Sequence, residues 1–130
     1  MNNQDTLDYC KEMLNNVSNI EHIQLRNIVS RAYYFTFYEL IDHVENRLSW
    51  QETINNGGVH IRTISRLKGF PKSSVNTNTS ASALELYSRI INLKKLRTKA
   101  DYKIDQPVSR KVAEYSVFES ELISKELAQL

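Results

Sequence analysis

The sequence predicts an all-α bundle with four main helices and one or two short ones. Three observations carry this. Glycine and proline are scarce, at 3 and 2 in 130 residues. Apolar residues recur at helical spacing along most of the chain, and the alternation expected of strands is absent. The stretch from Arg26 to Leu48 holds neither Gly nor Pro and is dense in aromatic and aliphatic side chains. Leu25, Val29, Ala32, Thr36 and Leu40 fall near one face of it. Tyr33, Phe37, Ile41, Val44 and Leu48 widen the apolar surface, so this helix packs on more than one side.

The elements follow in order. Residues 5–15 form a first helix with Asp5 as N-cap and Leu7, Cys10 or Lys11, and Leu14 in its stripe. Ser18 and Glu21 have capping-box spacing, which starts the second helix near Asn19 and runs it to about Leu48. Such a length marks the long member of an antiparallel bundle. Ser49 and Glu52 repeat the capping pattern ahead of a short helix, which Asn56, Gly57 and Gly58 stop. Val59, Ile61 or Arg62, Ile64 and Leu67 give a further helix, ended by Gly69 and Pro71. Two short helices, or one bent at the glycine pair, both satisfy this pattern. Residues 71–82 are rich in Ser, Thr and Asn and read as a mobile loop. Ser82 and Glu85 cap the next helix, with Leu84, Tyr87, Ile90 or Ile91, and Leu93 or Leu96 as its core stripe. Asp105 and Pro107 open the last helix, whose apolar face is Val108, Val112, Tyr115, Phe118 or Glu119, Leu122 and Ile123.

Composition narrows the function. The length suits one domain, residues 1–130, with one core. Hydrophobic residues make up 41% and charged residues 25%, ordinary values for a globular protein. Nothing in the sequence resembles a secretory leader or a membrane span, so a cytoplasmic protein is expected. The single Cys10 excludes an internal disulfide and a cysteine-based zinc site. Neither a glycine-rich phosphate loop nor a Cys/His cluster is present, so no metal or cofactor is expected. Charge is segregated: −4 over residues 1–59, +8 over 60–103 and −2 over 104–130. A basic middle in an acidic chain is either a phosphate-binding surface or a solvated helix face. Its densest part carries Arg89, Lys94, Lys95, Arg97 and Lys99.

One stripe of the long helix is chemically unusual. Asn27, Arg31, Tyr34 or Phe35, Tyr38 and Asp42 follow one another at helical spacing. Arg31 and Tyr38 are close to two full turns apart and project side by side.

The segment Ser30-Arg31-Ala32-Tyr33-Tyr34, with Phe37 and Tyr38 following, resembles the signature of HEPN domains. Gly58 and His60, then Ile61 and Ile64, are similar to the pattern before that family's third helix. Leu96-Arg97 with Ala100-Asp101-Tyr102 resembles its late element. The matches come in the family's order and span most of the chain. The resemblance implies an up-and-down helical bundle, a homodimer, and activity as a metal-independent RNA endonuclease in toxin–antitoxin, CRISPR-associated or other phage-defence systems. It also implies operon-encoded partners such as an antitoxin or a nucleotidyltransferase, with a motif tyrosine as a target for modification. The family's usual active motif is an Arg followed a few residues later by a His, with two copies meeting at the dimer interface. Here Arg31 matches, and Tyr38 stands where the histidine would be.

The chemistry of metal-free RNA cleavage gives each residue a role. Arg31 is a fixed cation that grips phosphate through two N–H groups. Tyr38 donates a proton or positions phosphate, since its phenol is a poor base at neutral pH. His60, with an ordinary pKa of about 6.5, is the candidate base. Arg89, Lys94, Lys95, Arg97 and Lys99 would steer the RNA. Structural readings stand beside these. Arg31 bridges to Asp42 or Glu39, Tyr38 is a core aromatic, His60 caps the third helix or bonds within the core, and Arg97 pairs with Asp101 at the surface. The rival at the level of the protein is a non-catalytic scaffold or regulatory subunit of the same fold.

Overall fold

The computed structural model describes residues 2–16, 19–50, 57–68 and 81–130. Five α-helices make up most of them: α1 (Asn3–Asn16), α2 (His22–Ile41), α3 (Val59–Ile64), α4 (Ala81–Tyr102) and α5 (Arg110–Leu127). No strand occurs among the described residues. None of their helices is long and apolar enough to cross a membrane.

The second helix is the axis of the molecule, packed against α1, α3, α4 and α5. Side-chain bonds fix the direction of its neighbours. Asn3 of α1 donates to the Phe35 carbonyl at 3.0 Å, and the Cys10 thiol reaches Ile28 O at 4.0 Å, so α1 runs antiparallel to α2. Arg26, at the start of α2, binds the end of α4. Glu39, near the end of α2, accepts from Ser124 near the end of α5 at 2.7 Å. The four long helices thus alternate in direction, the arrangement of an up-and-down bundle.

Helix α2 starts at His22, with Glu21 as N-cap and Gln24 Oε1 accepting from the Glu21 N–H at 3.1 Å. The capping box is therefore Glu21 with Gln24, three residues later than the expected one, whose Ser18 lies outside the described residues. Its far end widens into a π-helical turn over Asp42–Arg47, closed by a Leu48 N–H bond to His43 O at 2.8 Å. Ser49 then takes a left-handed φ of 51° and turns the chain. Glu52, the partner of Ser49 in the expected capping pattern, Asn56 and the loop over 71–80 lie outside the described residues, as do Gly69 and Pro71; Ala81 and Ser82 already belong to α4. Gly57 fits where no other residue would, because a Cβ there would stand 2.5 Å from Ile61 Cγ2. That close approach seats α3, which tightens into a 3₁₀ turn at Ser65–Lys68.

The core forms two clusters along α2. One joins Leu7, Cys10 and Leu14 to Leu25, Ile28, Val29, Ala32 and Phe35, closed by Ala113 and Val117. The other joins Tyr33, Phe37, Leu40 and Val44 to α3, α4 and the end of α5. The expected stripe of α2 is buried as predicted. Those of α4 and α5 hold in part: Ile90, Leu93, Val108 and Ile123 are buried as expected. Leu84 is exposed, and α4 buries Ala83 and Leu86 beside Ile90 and Leu93. On α5, Tyr115, Phe118 and Leu122 are exposed, and the helix buries Ala113, Ser116, Val117, Ser120, Ile123 and Leu127. Small side chains let α5 lie close to α2, which the larger aromatics would prevent. Ser116 and Ser120 satisfy their hydroxyls on Val112 O and Val117 O, so burying them leaves no polar group unpaired. The last helix begins later than Asp105 and Pro107 suggest: Ser109 is its N-cap, accepting from the Val112 N–H at 3.2 Å.

Arg26 locks this frame. Though only 7% exposed, it donates to the carbonyls of Lys99, Ala100, Lys103, Ile104 and Gln106. Lys99 and Ala100 belong to the last turn of α4, whose carbonyl end a cation complements, and the other three belong to the turn that follows it.

Candidate functional site

The outward stripe of α2 is where the helical spacing places it. Arg31 is exposed, Tyr34 is half-buried, and Tyr38 is 56% exposed. Among the described residues no carboxylate pairs with Arg31. Its guanidinium lies over the Tyr9 ring of α1, 5.2 Å from the centroid. The bridge to Asp42 or Glu39 is not made. Glu39 instead accepts from Asn3 and Ser124, and Asp42 from Asn46. Nor is Tyr38 a core aromatic. Beneath Arg31, burial pushes the Cys10 thiol up to about 11 against the lowering effect of the guanidinium. That thiol is unreactive at neutral pH.

A second group assembles on the α4 side of the stripe. Arg97 Nη2 donates to the Tyr34 phenol, and Arg97 Nε stands 2.9 Å from Asp101 Oδ2. Asp101 also accepts from Ser30 at 3.1 Å. The guanidinium faces three tyrosine rings: Tyr34 at 5.1 Å, Tyr102 at 5.3 Å and Tyr33 at 5.8 Å from its carbon. The Arg97–Asp101 pair is more than a solvated surface pair, because the Arg97 side chain is only 14% exposed. The Nε–H is not directed along that contact and makes no hydrogen bond, so the pair is held by charge rather than by a linear bond.

His60 completes the group. It is the second residue of α3, after the N-cap Gly58, and so does not cap the helix. Its ring lies flat on Phe37, centroids 4.1 Å apart and planes 4° from parallel. Its Nδ1 shares a 2.7 Å hydrogen bond with the hydroxyl of Tyr33. Tyr34 meets its edge at 5.8 Å, and Tyr38 stands 6.5 Å from Tyr34. The rings of Phe37, His60, Tyr34 and Tyr38 are therefore continuous from core to surface. Burial, then the charges of Arg97 and Lys94, hold His60 below the ordinary histidine range. At neutral pH it is an uncharged imidazole able to accept a proton. Burial likewise drives the Tyr33 phenol up, so it stays protonated. Arg31, over Tyr9 of α1, and His60, against Phe37 and Tyr33, make no contact with each other.

The predicted cations divide into two sets. Arg89 is not available to a ligand: Glu119 and Glu126 of α5 hold it, with Glu126 Oε2 at 2.6 Å, and Glu85 lies at 3.8 Å. It ties α4 to α5. Lys94 and Lys95 line a cleft between α3 and α4 with Ile61, Ile91, Thr98 and Lys103. Lys99 is half-buried beside Arg26, which its carbonyl accepts from. Sequence reasoning gave Tyr34 no chemical role, treated Tyr102 only as part of a motif, and missed Lys103. For Tyr34 and Tyr102 the spacing to Arg97 on a neighbouring helix was invisible. Among the described residues no three His, Cys, Asp or Glu side chains converge on a point that a metal ion could occupy.

No family model matches the chain, and no curated protein and no solved structure matches it.

Proposed function

We propose that this protein is a HEPN-type RNA-binding homodimer that acts as a metal-independent endoribonuclease, an effector of a toxin–antitoxin or phage-defence system. The observation that carries the reading is the exposed guanidinium of Arg31, which no described carboxylate neutralises, two turns from exposed Tyr38, whose ring is linked through Tyr34 to a neutral His60. A cation left without a counter-charge inside a tyrosine-rich stripe suits a phosphodiester better than it suits packing.

In this reading Arg31 holds the scissile phosphate and stabilises the charge of the phosphorane. His60 takes the proton of the ribose 2′-hydroxyl, whose oxygen attacks the adjacent phosphorus. Tyr38 gives its proton to the departing 5′-oxygen, and the products are a 2′,3′-cyclic phosphate and a 5′-hydroxyl. Tyr33 orients the imidazole through Nδ1. Because Arg31 and His60 do not touch within one subunit, the site is completed across a two-fold axis, Arg31 of one copy serving His60 of the other.

The test is to incubate the purified protein with tRNA and mRNA in chelator, beside an Arg31→Ala variant. Cleavage by the parent alone, with cyclic phosphate ends, supports the reading. RNA equally intact in both samples removes the nuclease.

The rival, a non-catalytic scaffold or regulatory subunit partnering a nucleotidyltransferase or nuclease, draws on His60. Its ring is stacked flat on Phe37 and its Nδ1 is engaged by Tyr33, as a structural histidine's would be. Exposed Tyr38 would then be the point of modification. A mass increase on the Tyr38 peptide after co-expression with an operon partner separates the two.

A further inference from the structure

A cleft of about 380 Å³ opens between α3 and α4, a volume at the small end of the range for ligand pockets. Its polar wall is cationic, made by Lys94, Lys95 and Lys103. None of the three has a carboxylate partner among the described residues. Asp101, the acid of this part of α4, is already held by Arg97 and Ser30. Thr98 adds no donor to the cleft, because its hydroxyl turns back to the Lys94 carbonyl at 3.0 Å. The rest of the wall is branched aliphatic, Ile61 and Ile91, both half-buried. The uncompensated charge is felt next door, where Lys94 joins Arg97 in disfavouring a charged His60.

Three ammoniums against a low-dielectric wall focus a positive field into a small volume. A monovalent anion would leave the excess in place, and an ion without an organic part would leave the isoleucines wet. A ligand with a doubly charged head and a compact body answers both. We propose that this cleft is a phosphate-ester site, with the phosphoryl oxygens on Lys94, Lys95 and Lys103 and the organic portion against Ile61 and Ile91. The doubly charged ester is either the terminal phosphate of a bound strand, which rests on the RNA reading above, or a free phosphomonoester, which does not.

Amide-resolved NMR titration of the full chain tests this. The ligands are ribose, ribose 5-phosphate and a short single-stranded oligouridylate, against the parent, Lys94→Gln/Lys103→Gln and Arg31→Ala. The expected result is that Ile61, Ile91 and Thr98 shift with ribose 5-phosphate and not with ribose. Affinity for ribose 5-phosphate should fall about tenfold in the double lysine variant and hold in Arg31→Ala, whose side chain does not line the cleft. The His60 Cε1–H titration should move to higher pH as the ester fills the cleft. The proposal is overturned if ribose and its phosphate give the same response, if shifts scatter over all lysines, or if the double variant binds like the parent. RNA binding that depends on Arg31 but not on the lysines sinks the cleft and leaves the RNA reading standing. Ester binding without RNA binding does the reverse.

Discussion

The hydroxyl of Tyr33 and Nδ1 of His60 lie 2.7 Å apart, joining α2 to α3. Tyr33 is fully buried, so this bond is how its phenol is satisfied within the core. The same bond fixes the imidazole plane on Phe37. Replacing Tyr33 by Phe removes the phenol and leaves the histidine nitrogen without its partner. We expect a loss of about 1–2 kcal/mol in urea unfolding, with a free rather than fixed His60 ring in its NMR exchange behaviour.

His60 makes stability depend on pH in a set direction. Its proton affinity is lowered in the fold, so the unfolded chain binds the proton more readily. The contribution is fully present above the ordinary histidine pKa of about 6.5 and is lost as pH falls from there toward the lowered folded value. The melting temperature should fall on acidification through that window, and His60→Gln should flatten that part of the profile. A profile unchanged by the substitution would show that His60 is not the group responsible.

Arg31 and Arg97 should respond in opposite ways. Arg97 is shielded and holds Tyr34 and Asp101, so Arg97→Ala should destabilise by about 2 kcal/mol. Arg31 is exposed and unpaired by any described carboxylate, so Arg31→Ala should fall within about 0.5 kcal/mol of the parent. Chemical denaturation of the two variants side by side checks both.

Arg26 should be the most sensitive cation in the molecule. Arg26→Met removes the guanidinium from five carbonyls at the end of α4 and the following turn, of which Lys99 O and Lys103 O keep a backbone donor, and a loss of about 3 kcal/mol is expected in denaturant unfolding. Its sequence gave no sign of this role, since a single Arg near a helix start looks like any solvated residue.

The basic block should divide by function. Lys94→Gln should lower the salt slope of RNA binding by about one. Arg89→Gln should leave that slope unchanged and weaken the α4–α5 contact, because Glu119 and Glu126 already hold the guanidinium. Salt-dependent anisotropy titrations distinguish the two.

What was legible in the sequence was set by periodicity and by composition. The α2 stripe was readable because its large apolar residues are the ones buried, and Leu7, Cys10 and Leu14 were readable for the same reason. The faces of α4 and α5 were readable at Ile90, Leu93, Val108 and Ile123 and misjudged elsewhere, because burial there follows close approach rather than hydrophobicity. Ala113, Ser116 and Ser120 lie inside, while Phe118 is 65% exposed. Helix starts slipped by a few residues where a residue with no Ser/Thr signal, Glu21, or a later one, Ser109, took the cap. At the site, the outward placing of Arg31 and Tyr38 followed from their spacing on one helix. The meeting of Arg97 with Tyr34, and of His60 with Tyr33, joins residues far apart in the chain, and local pattern does not encode it. The charge of Arg89 counted toward a basic surface in the sequence and is cancelled in the fold by acids from another helix.

The central claim is that Arg31 engages RNA rather than the fold. The most direct measurement is the affinity of a labelled single-stranded RNA for the parent and for Arg31→Ala, by fluorescence anisotropy at one salt concentration. Matched unfolding curves would establish that both variants are folded. A drop of about tenfold or more in the variant, with unfolding unchanged, is the predicted result. Equal affinities, or no binding by the parent, would contradict it.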